Sequence, residues 1–222
     1  MTRSILVVAP HPDDETLGCG GALLRHKAEG DALHWVIVTS MPPDAYSAVL
    51  RKRRAAELRE VARLYGFAST RELGFPAAGL DVVPRAELVD KMRAAFTAAR
   101  PDVAYLPHPG DVHTDHRVAF EAAAACAKSF RTPSPSRVLA YETLSETDAA
   151  LDTTAQPFRP SVFVDITPYL ERKLDILQRY AGEIGEFPFP RSLEAVRSLA
   201  RVRGAAAGCA AAEAFQLLRE TL

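Results

Sequence analysis

Apolar residues fall into two alternating patterns along the chain. Short runs that are almost continuously apolar and rich in β-branched residues occupy 4–9 (Ser-Ile-Leu-Val-Val-Ala), 33–39, 103–106, 137–142 and 161–166, with a shorter one near Glu72–Leu73. Such runs read as strands buried on both faces of a sheet. Between them, apolar residues recur at helical spacing. Residues 16–29 carry Leu17, Leu23 and Leu24 and stop at Gly30; residues 47–65 carry Leu50, Leu58, Val61, Leu64 and Tyr65 and stop at Gly66. Helices are also expected over 85–99, ending at Arg100-Pro101, over 115–130 and over 168–181. The tail from Ser192 reads as mostly helical, interrupted near Gly204 and Gly208, and its alanine-rich stretch 205–214 suits close helix packing. Strand and helix alternate over the first 140 residues, which predicts βαβ units. The expected fold class is α/β: a Rossmann-like, mostly parallel sheet with helices on both faces, in three α/β/α layers. One domain over 1–222 is expected, with 160–222 as a C-terminal region folding back over the site. Residues 40–46 and 144–160 lack a regular pattern and are expected as loops, and 186–191 (Glu-Phe-Pro-Phe-Pro-Arg) is too proline-rich for a helix.

Composition narrows the function classes. The chain has 222 residues, and its 27 Lys and Arg against 28 Asp and Glu leave a formal charge of −1. That balance argues against a general nucleic-acid binder. No apolar run approaches the roughly 18 residues that span a bilayer, and the five-residue apolar run after Met-Thr-Arg-Ser is too short for a signal peptide. Three cysteines at wide spacing (Cys19, Cys126, Cys209) suit neither a disulfide framework nor a thiolate zinc site. A reduced, cytoplasmic location is the expectation.

Two clusters carry the chemistry. His11-Pro12-Asp13-Asp14-Glu15 follows the first strand directly, and His108, Asp111, His113, Asp115 and His116 fall within nine residues after the strand 103–106. Ligands in open parallel sheets bind outside the carboxyl ends of the strands. If both strands are central, their ends are neighbours, and nitrogen and oxygen donors converge on a site suited to a zinc-like divalent ion. Taken alone, the first cluster also reads as a turn in which Asp13 or Asp14 caps the next helix. Spacing does not say which of His113 and His116 would bind metal. His26 and His34 belong to no cluster and read as structural, as does Cys19 among glycines.

Val-Val-Ala-Pro-His-Pro-Asp-Asp-Glu resembles the opening signature of the PIG-L/LmbE family of zinc-dependent N-deacetylases, and His113-Thr114-Asp115-His116 resembles that family's later His-x-Asp-His. Arg54-x-x-Glu57-Leu58, Leu73-Gly74-Phe75-Pro76, Val164-Asp165-Ile166 and Ala212-Glu213-Ala214-Phe215 are similar to further landmarks, so the resemblance spans the chain. It implies His11, Asp14 and His116 as ligands of Zn2+, or of Fe2+, Co2+ or Ni2+, which the same donors accept. It implies Asp13 as general base, His113 as electrostatic stabiliser and general acid, and Asp115 as the carboxylate that orients and charges His113. Arg54 is implied as a substrate or supporting residue. Tyr141, Glu142 and Arg191 are candidate substrate contacts, the first two as hydrogen-bonding groups for a sugar and Arg191, with Arg201 and Arg203, for a phosphate or carboxylate.

The resemblance implies removal of an N-acetyl group from an amino-sugar conjugate, and it allows a homo-oligomer. The alternative is a non-catalytic sugar-binding or scaffold protein that keeps the metal site, which would have no need of Asp13 and His113. A dinucleotide-dependent oxidoreductase is excluded, because Gly18-Cys19-Gly20-Gly21 comes too late after the first strand and Leu23 stands where the third fingerprint glycine belongs. The chain departs from the family at Ala77-Ala78-Gly79, where many members have Asp-Gly, at Tyr180-Ala181-Gly182-Glu183, and at Met41–Tyr46, where a glycine-rich loop is familiar. These positions bear on the substrate, since loops around a fixed site set specificity. Residues 40–50, 107–113 and 185–191 are expected to rim the pocket.

Overall fold

A computed structural model describes residues 2–130, 134–151 and 156–222. The strands are β1 (Ser4–Ala9), β2 (Ala32–Ser40), β3 (Ser69–Pro76), β4 (Val103–Pro107), β5 (Arg137–Tyr141), β6 (Val162–Asp165) and β7 (Ala212–Glu220). The helices are α1 (Asp14–Ala28), α2 (Ala48–Tyr65), α3 (Arg85–Ala99), α4 (Thr114–Cys126), α5 (Leu170–Leu177) and α6 (Leu193–Ala207). One sheet runs in the order β3-β2-β1-β4-β5-β7-β6. β1 pairs in parallel with both β2 and β4, and β7 runs antiparallel between β5 and β6. The order turns back between β1 and β4, which is the switch point at which such sheets open a crevice.

The continuous apolar runs are explained by burial on both faces. Ile5, Val7 and Ala9 of β1 join a core with α1, α2, α5 and α6; Leu6 and Val8 join a second core with α3 and α4. The expected three layers are therefore found. Of the unpatterned stretch 144–160, residues 152–155 lie outside the described residues.

The tail departs from expectation. Helix α6 runs through Gly204 and ends at Gly208, whose φ of 73° caps it. Residues 212–220 are then a strand, not helix. The alanines that favour helix are overridden by tertiary pairing: Ala212, Ala214 and Phe215 are buried where β7 fills the gap between β5 and β6. Ala211 lies so close to Gly204 that a Cβ there would come within 2.8 Å of its backbone.

Helix α1 is broken at Cys19, whose φ of −143° is non-helical. Polar groups from elsewhere satisfy the backbone freed by the break. Glu213 on β7 accepts from the backbone N–H of Gly21 (2.8 Å) and Ala22 (2.7 Å). Lys173 on α5 donates to the Leu17 carbonyl (2.8 Å) and to Glu213 (2.7 Å). Both side chains are buried, so the pair and its backbone partners are mutually required. Gly18, at the break, faces the Tyr141 ring at a distance that leaves no room for a Cβ. The break sets the direction of the first turn of α1, and that turn carries Asp14 and Glu15. No helix among the described residues is long and apolar enough to cross a membrane.

Candidate metal centre and active site

The site is assembled where β1 and β4 end side by side. After β1 the chain passes Pro10, whose carbonyl accepts from the backbone and hydroxyl of Thr39 (3.0 and 2.8 Å), and then turns sharply through His11–Asp14. Asp13 has φ 121°, a conformation that a non-glycine residue adopts only where its surroundings impose it. Asp13 stands at the N-cap position of α1, yet its carboxylate makes no capping bond. It accepts instead from Arg191 Nη1 at 3.0 Å. Asp14, one residue on, points the other way. Its Oδ2 accepts from the His11 backbone N–H (2.8 Å) and lies 3.3 Å from His116 Nε2 and 3.5 Å from His11 Nδ1. The two adjacent carboxylates thus have different surroundings and can have different roles.

Ligand atoms of His11, Asp14 and His116 all lie within 4.8 Å of one another. Asp14 Oδ1 and His116 Nε2 are buried and have no hydrogen-bond partner. Two orphaned polar atoms meeting in one buried set, with imidazole and carboxylate donors, fit a divalent cation. Each imidazole is aligned from behind. His116 Nδ1 bonds to Asp111 Oδ2 (2.8 Å), and Asp111 Oδ1 accepts from Thr147 (2.6 Å). His11 Nε2 bonds to Asp115 Oδ2 (2.9 Å). Carboxylates behind ligand imidazoles fix their tautomer and orientation. His11, His113 and Asp115 form a second compact set. Asp115 is already committed, however: besides His11 it accepts from the N–H of Ala78 (2.7 Å) and Leu80 (3.0 Å). A third set, His26, Glu29 and Asp31, is engaged by Arg3 and lies outside the cavity.

Several expected contacts are corrected. Asp115 does not orient the His113 ring through its carboxylate, which serves His11 and two loop amides. The bond between the two residues runs from the Asp115 backbone N–H to His113 Nδ1 (3.1 Å), so His113 caps α4. An Nδ1 that accepts carries no proton, which leaves Nε2 as the protonated nitrogen. Burial and the neighbouring His11 charge also lower the His113 pKa, against the expected imidazolium. Tyr141 is fully buried and donates to the Val8 carbonyl (2.8 Å), so it supports β1 rather than touching a substrate. Glu142 lies outside the cavity in a two-pronged ion pair with Arg203 (2.8 and 2.6 Å). Arg203 is thereby occupied too. Arg191 does line the cavity, but its guanidinium is held by Asp13, Glu146 (2.8 Å) and Ser145 (2.8 Å), so its partners are protein groups rather than a free anion. Arg54 also lines it, donating to the Pro12 carbonyl (3.4 Å) and pairing with Glu183.

The cavity measures about 380 Å³ and includes His11, Asp13, His113, Arg54, Glu183 and Arg191. Met41 and Tyr46 contribute from the loop after β2, as expected of a rim. Glu183, which the sequence marks only as part of a departure from the family pattern, and Glu146 are brought to Arg54 and Arg191 by the fold.

Electrostatics follow from these contacts. Burial opposes charge on both imidazoles, yet the Asp115 and Asp14 carboxylates, which accept from His11, raise it to about 9, and Asp14 and Asp111 raise His116 to about 10. Burial would raise Asp14, but the His116 and His11 charges hold it well below the usual carboxylate range. Asp13 is pushed up by burial and by the charge of Asp14, with Arg191 pulling it back. Glu15, buried beneath the turn, is raised by burial to about 7 although Thr16 and Tyr180 donate to it. A cation entering the His11–Asp14–His116 set must displace the imidazole protons, so its apparent affinity falls as pH falls. The slope below about pH 9 is up to about a hundredfold per unit, because two protons leave. Competition of the protein with a chromophoric chelator for zinc, from about pH 8 to about pH 6, is expected to show this loss; a flat profile would remove these histidines as ligands.

Residues 6–127 match the family model described as PIG-L, GlcNAc-PI de-N-acetylase. The chain is 26% identical over 190 residues to a probable N-acetyl-alpha-D-glucosaminyl L-malate deacetylase 2 of Bacillus anthracis, covering 82% of this chain and 81% of that protein. Among solved structures it is similar to the conserved protein TT1542 of Thermus thermophilus (TM-score 0.76, 29% identity, 100% and 97% of the two chains). It is also similar to GalB, a 4-carboxy-2-hydroxymuconate hydratase of Pseudomonas putida (TM-score 0.80, 19% identity, 100% and 98%). At that identity the last likeness speaks for the fold alone.

Proposed function

The chain belongs to the PIG-L family, whose model covers more than half of it, and on that premise we propose that it is a metal-dependent hydrolase that removes the N-acetyl group from an amino-sugar conjugate, releasing acetate and a free amine. The observation that carries this reading is the division of labour between Asp13 and Asp14: one carboxylate belongs to the cation set, and its neighbour faces the cavity on Arg191. His11, Asp14 and His116 would hold a divalent cation, whose chemistry when bound is to acidify a water and polarise an acetamide carbonyl.

The chain's own residues supply the rest. Asp13 accepts the proton of the attacking water as it adds to the acetyl carbon, and returns that proton to the departing amine nitrogen. Burial and the charge of Asp14 raise its pKa above that of an ordinary aspartate, which makes it the stronger base. Arg191 holds Asp13 in place and offsets part of its desolvation. His113, protonated on Nε2, donates to the carbonyl oxygen as charge develops there. A neutral imidazole whose pKa is lowered at a helix start acts as electrophile in the same manner elsewhere. The proton for the amine then comes from Asp13, not from an imidazolium. Ser40 and the Arg54–Glu183 pair, which line the cavity, offer polar groups to sugar hydroxyls. The expected cytoplasmic setting and the allowed homo-oligomer remain part of the proposal.

The test is product stoichiometry. Zinc-loaded and chelator-treated protein is incubated with a panel of N-acetylglucosamine glycosides, and acetate and primary amine are measured together. Equal release of both, lost with chelation and restored by metal, is the expected result. Stoichiometric metal binding without release from any panel member would favour the non-catalytic sugar-binding reading.

A further inference from the structure

Two charged side chains at the outer end of the cavity have no side-chain partner among the described residues. The cavity follows the carboxyl edge of the sheet, from His113 beyond β4, past His11 and Asp13 beyond β1 and Thr39–Met41 at the end of β2, to Glu72 on β3 and Arg51 on α2. Strand β3 lies two positions from β1, which is about 10 Å at the spacing of paired strands. That distance is the reach of one sugar ring and the first atoms of its substituent. The other lining charges are mutually satisfied, Arg54 by Glu183 and Arg191 by Asp13. Among the described residues, Arg51 and Glu72 make no side-chain hydrogen bond or ion pair, and both are exposed. Arg53 and Arg54, which follow on α2, are taken by Glu57 (2.9 and 3.4 Å), so of these three guanidinium groups Arg51 is the one left for an outside anion. The attraction of an exposed guanidinium for an anion is screened by salt.

We propose that Arg51 and Glu72 form a distal subsite for an anionic substituent on the amino sugar. The Arg51 guanidinium takes a carboxylate or phosphate, for which its planar fork is suited, and Glu72 accepts a hydroxyl of the sugar or of the substituent. The inference rests on the deacetylase reading of the cavity and names the class of conjugate it selects.

The test uses metal-loaded full chain and N-acetylglucosaminides that differ only in the aglycone (methyl, carboxymethyl and aminoethyl), together with N-acetylglucosamine 1-phosphate. The carboxymethyl glycoside or the phosphate is expected to exceed the methyl glycoside in kcat/KM by about tenfold or more, through KM, with the advantage shrinking at high salt. The better of the two identifies the anion. Arg51→Glu is expected to bring the anion-to-methyl ratio to one or below. A wild-type ratio near one, or a preference that survives Arg51→Glu, overturns the proposal. So does a preference for the aminoethyl glycoside that Glu72→Gln removes, because the subsite then belongs to cations. Calorimetric binding of the deacetylated carboxymethyl and methyl glucosaminides separates the two readings. If no glycoside is turned over but the anionic one binds tighter in an Arg51-dependent way, the deacetylase reading falls and the subsite stands. Equal binding of the two overturns the subsite whatever the turnover.

Discussion

Asp13→Asn lowers kcat for amide hydrolysis by about a thousandfold or more while metal content and fold stay as in the wild type. The substitution removes proton transfer and little else. Asparagine has the shape of aspartate, tolerates positive φ better than most residues, and keeps an oxygen for Arg191. The N-cap of α1 loses no bond, because Asp13 makes none there. The cation set is Asp14's concern, so metal stoichiometry is expected to be unchanged. A single group that both takes and returns the proton predicts a loss in kcat with little change in KM. Activity within about tenfold of wild type would instead assign the proton to another group, with His113 the next to test.

His116→Ala is expected to abolish both metal retention and turnover. The loss has two parts. One of the three proposed ligands disappears, and the buried Asp14 and Asp111 lose their shared imidazole partner. Stranding buried charges of this kind costs about 3–5 kcal/mol, so the melting temperature falls as well. Asp111→Asn separates these effects. It leaves the ligand but weakens its alignment, and metal affinity is expected to drop about ten- to hundredfold, with activity recovered at excess metal. Metal analysis after dialysis, beside activity against added zinc, reads both variants. Full metal retention by His116→Ala would remove His116 from the ligand set.

The parts of the site visible in the sequence are those written in contiguous chain. The turn His11–Glu15 and the cluster His108–His116 follow apolar strands, and the parallel β1–β4 pairing brings their ends together. Long-range partners are not visible in this way. Asp115 lies two residues from His113, yet its carboxylate reaches back 104 residues to His11, because capping of α4 turns the His113 ring onto the Asp115 backbone. Tyr141 follows the same logic: a hydroxyl at a strand end suggests ligand contact, but the side chain points into the sheet's helical cover and bonds to β1. Strand β7 is hidden by alanine, whose helical preference is decided here by an open edge between β5 and β6. Arg191 comes from a proline-rich segment with no periodicity, and its carboxylate partners are identifiable only once Ser192 and α6 are placed against α5 and β7.

The break in α1 is closed from the far end of the chain. The carboxylate that closes the break comes from residue 213, 192 positions beyond the backbone it satisfies. During synthesis the histidine-aspartate turn therefore emerges long before the strand that locks it. Until β7 inserts, the first helix has open amides and a lysine partner without its countercharge. Contacts of such sequence separation form late, since the chain entropy between their ends must first be lost. The geometry of the turn thus depends on the pairing of β7, and a nascent or proteolytically shortened chain lacking this strand carries the signature residues without the contact that closes the break.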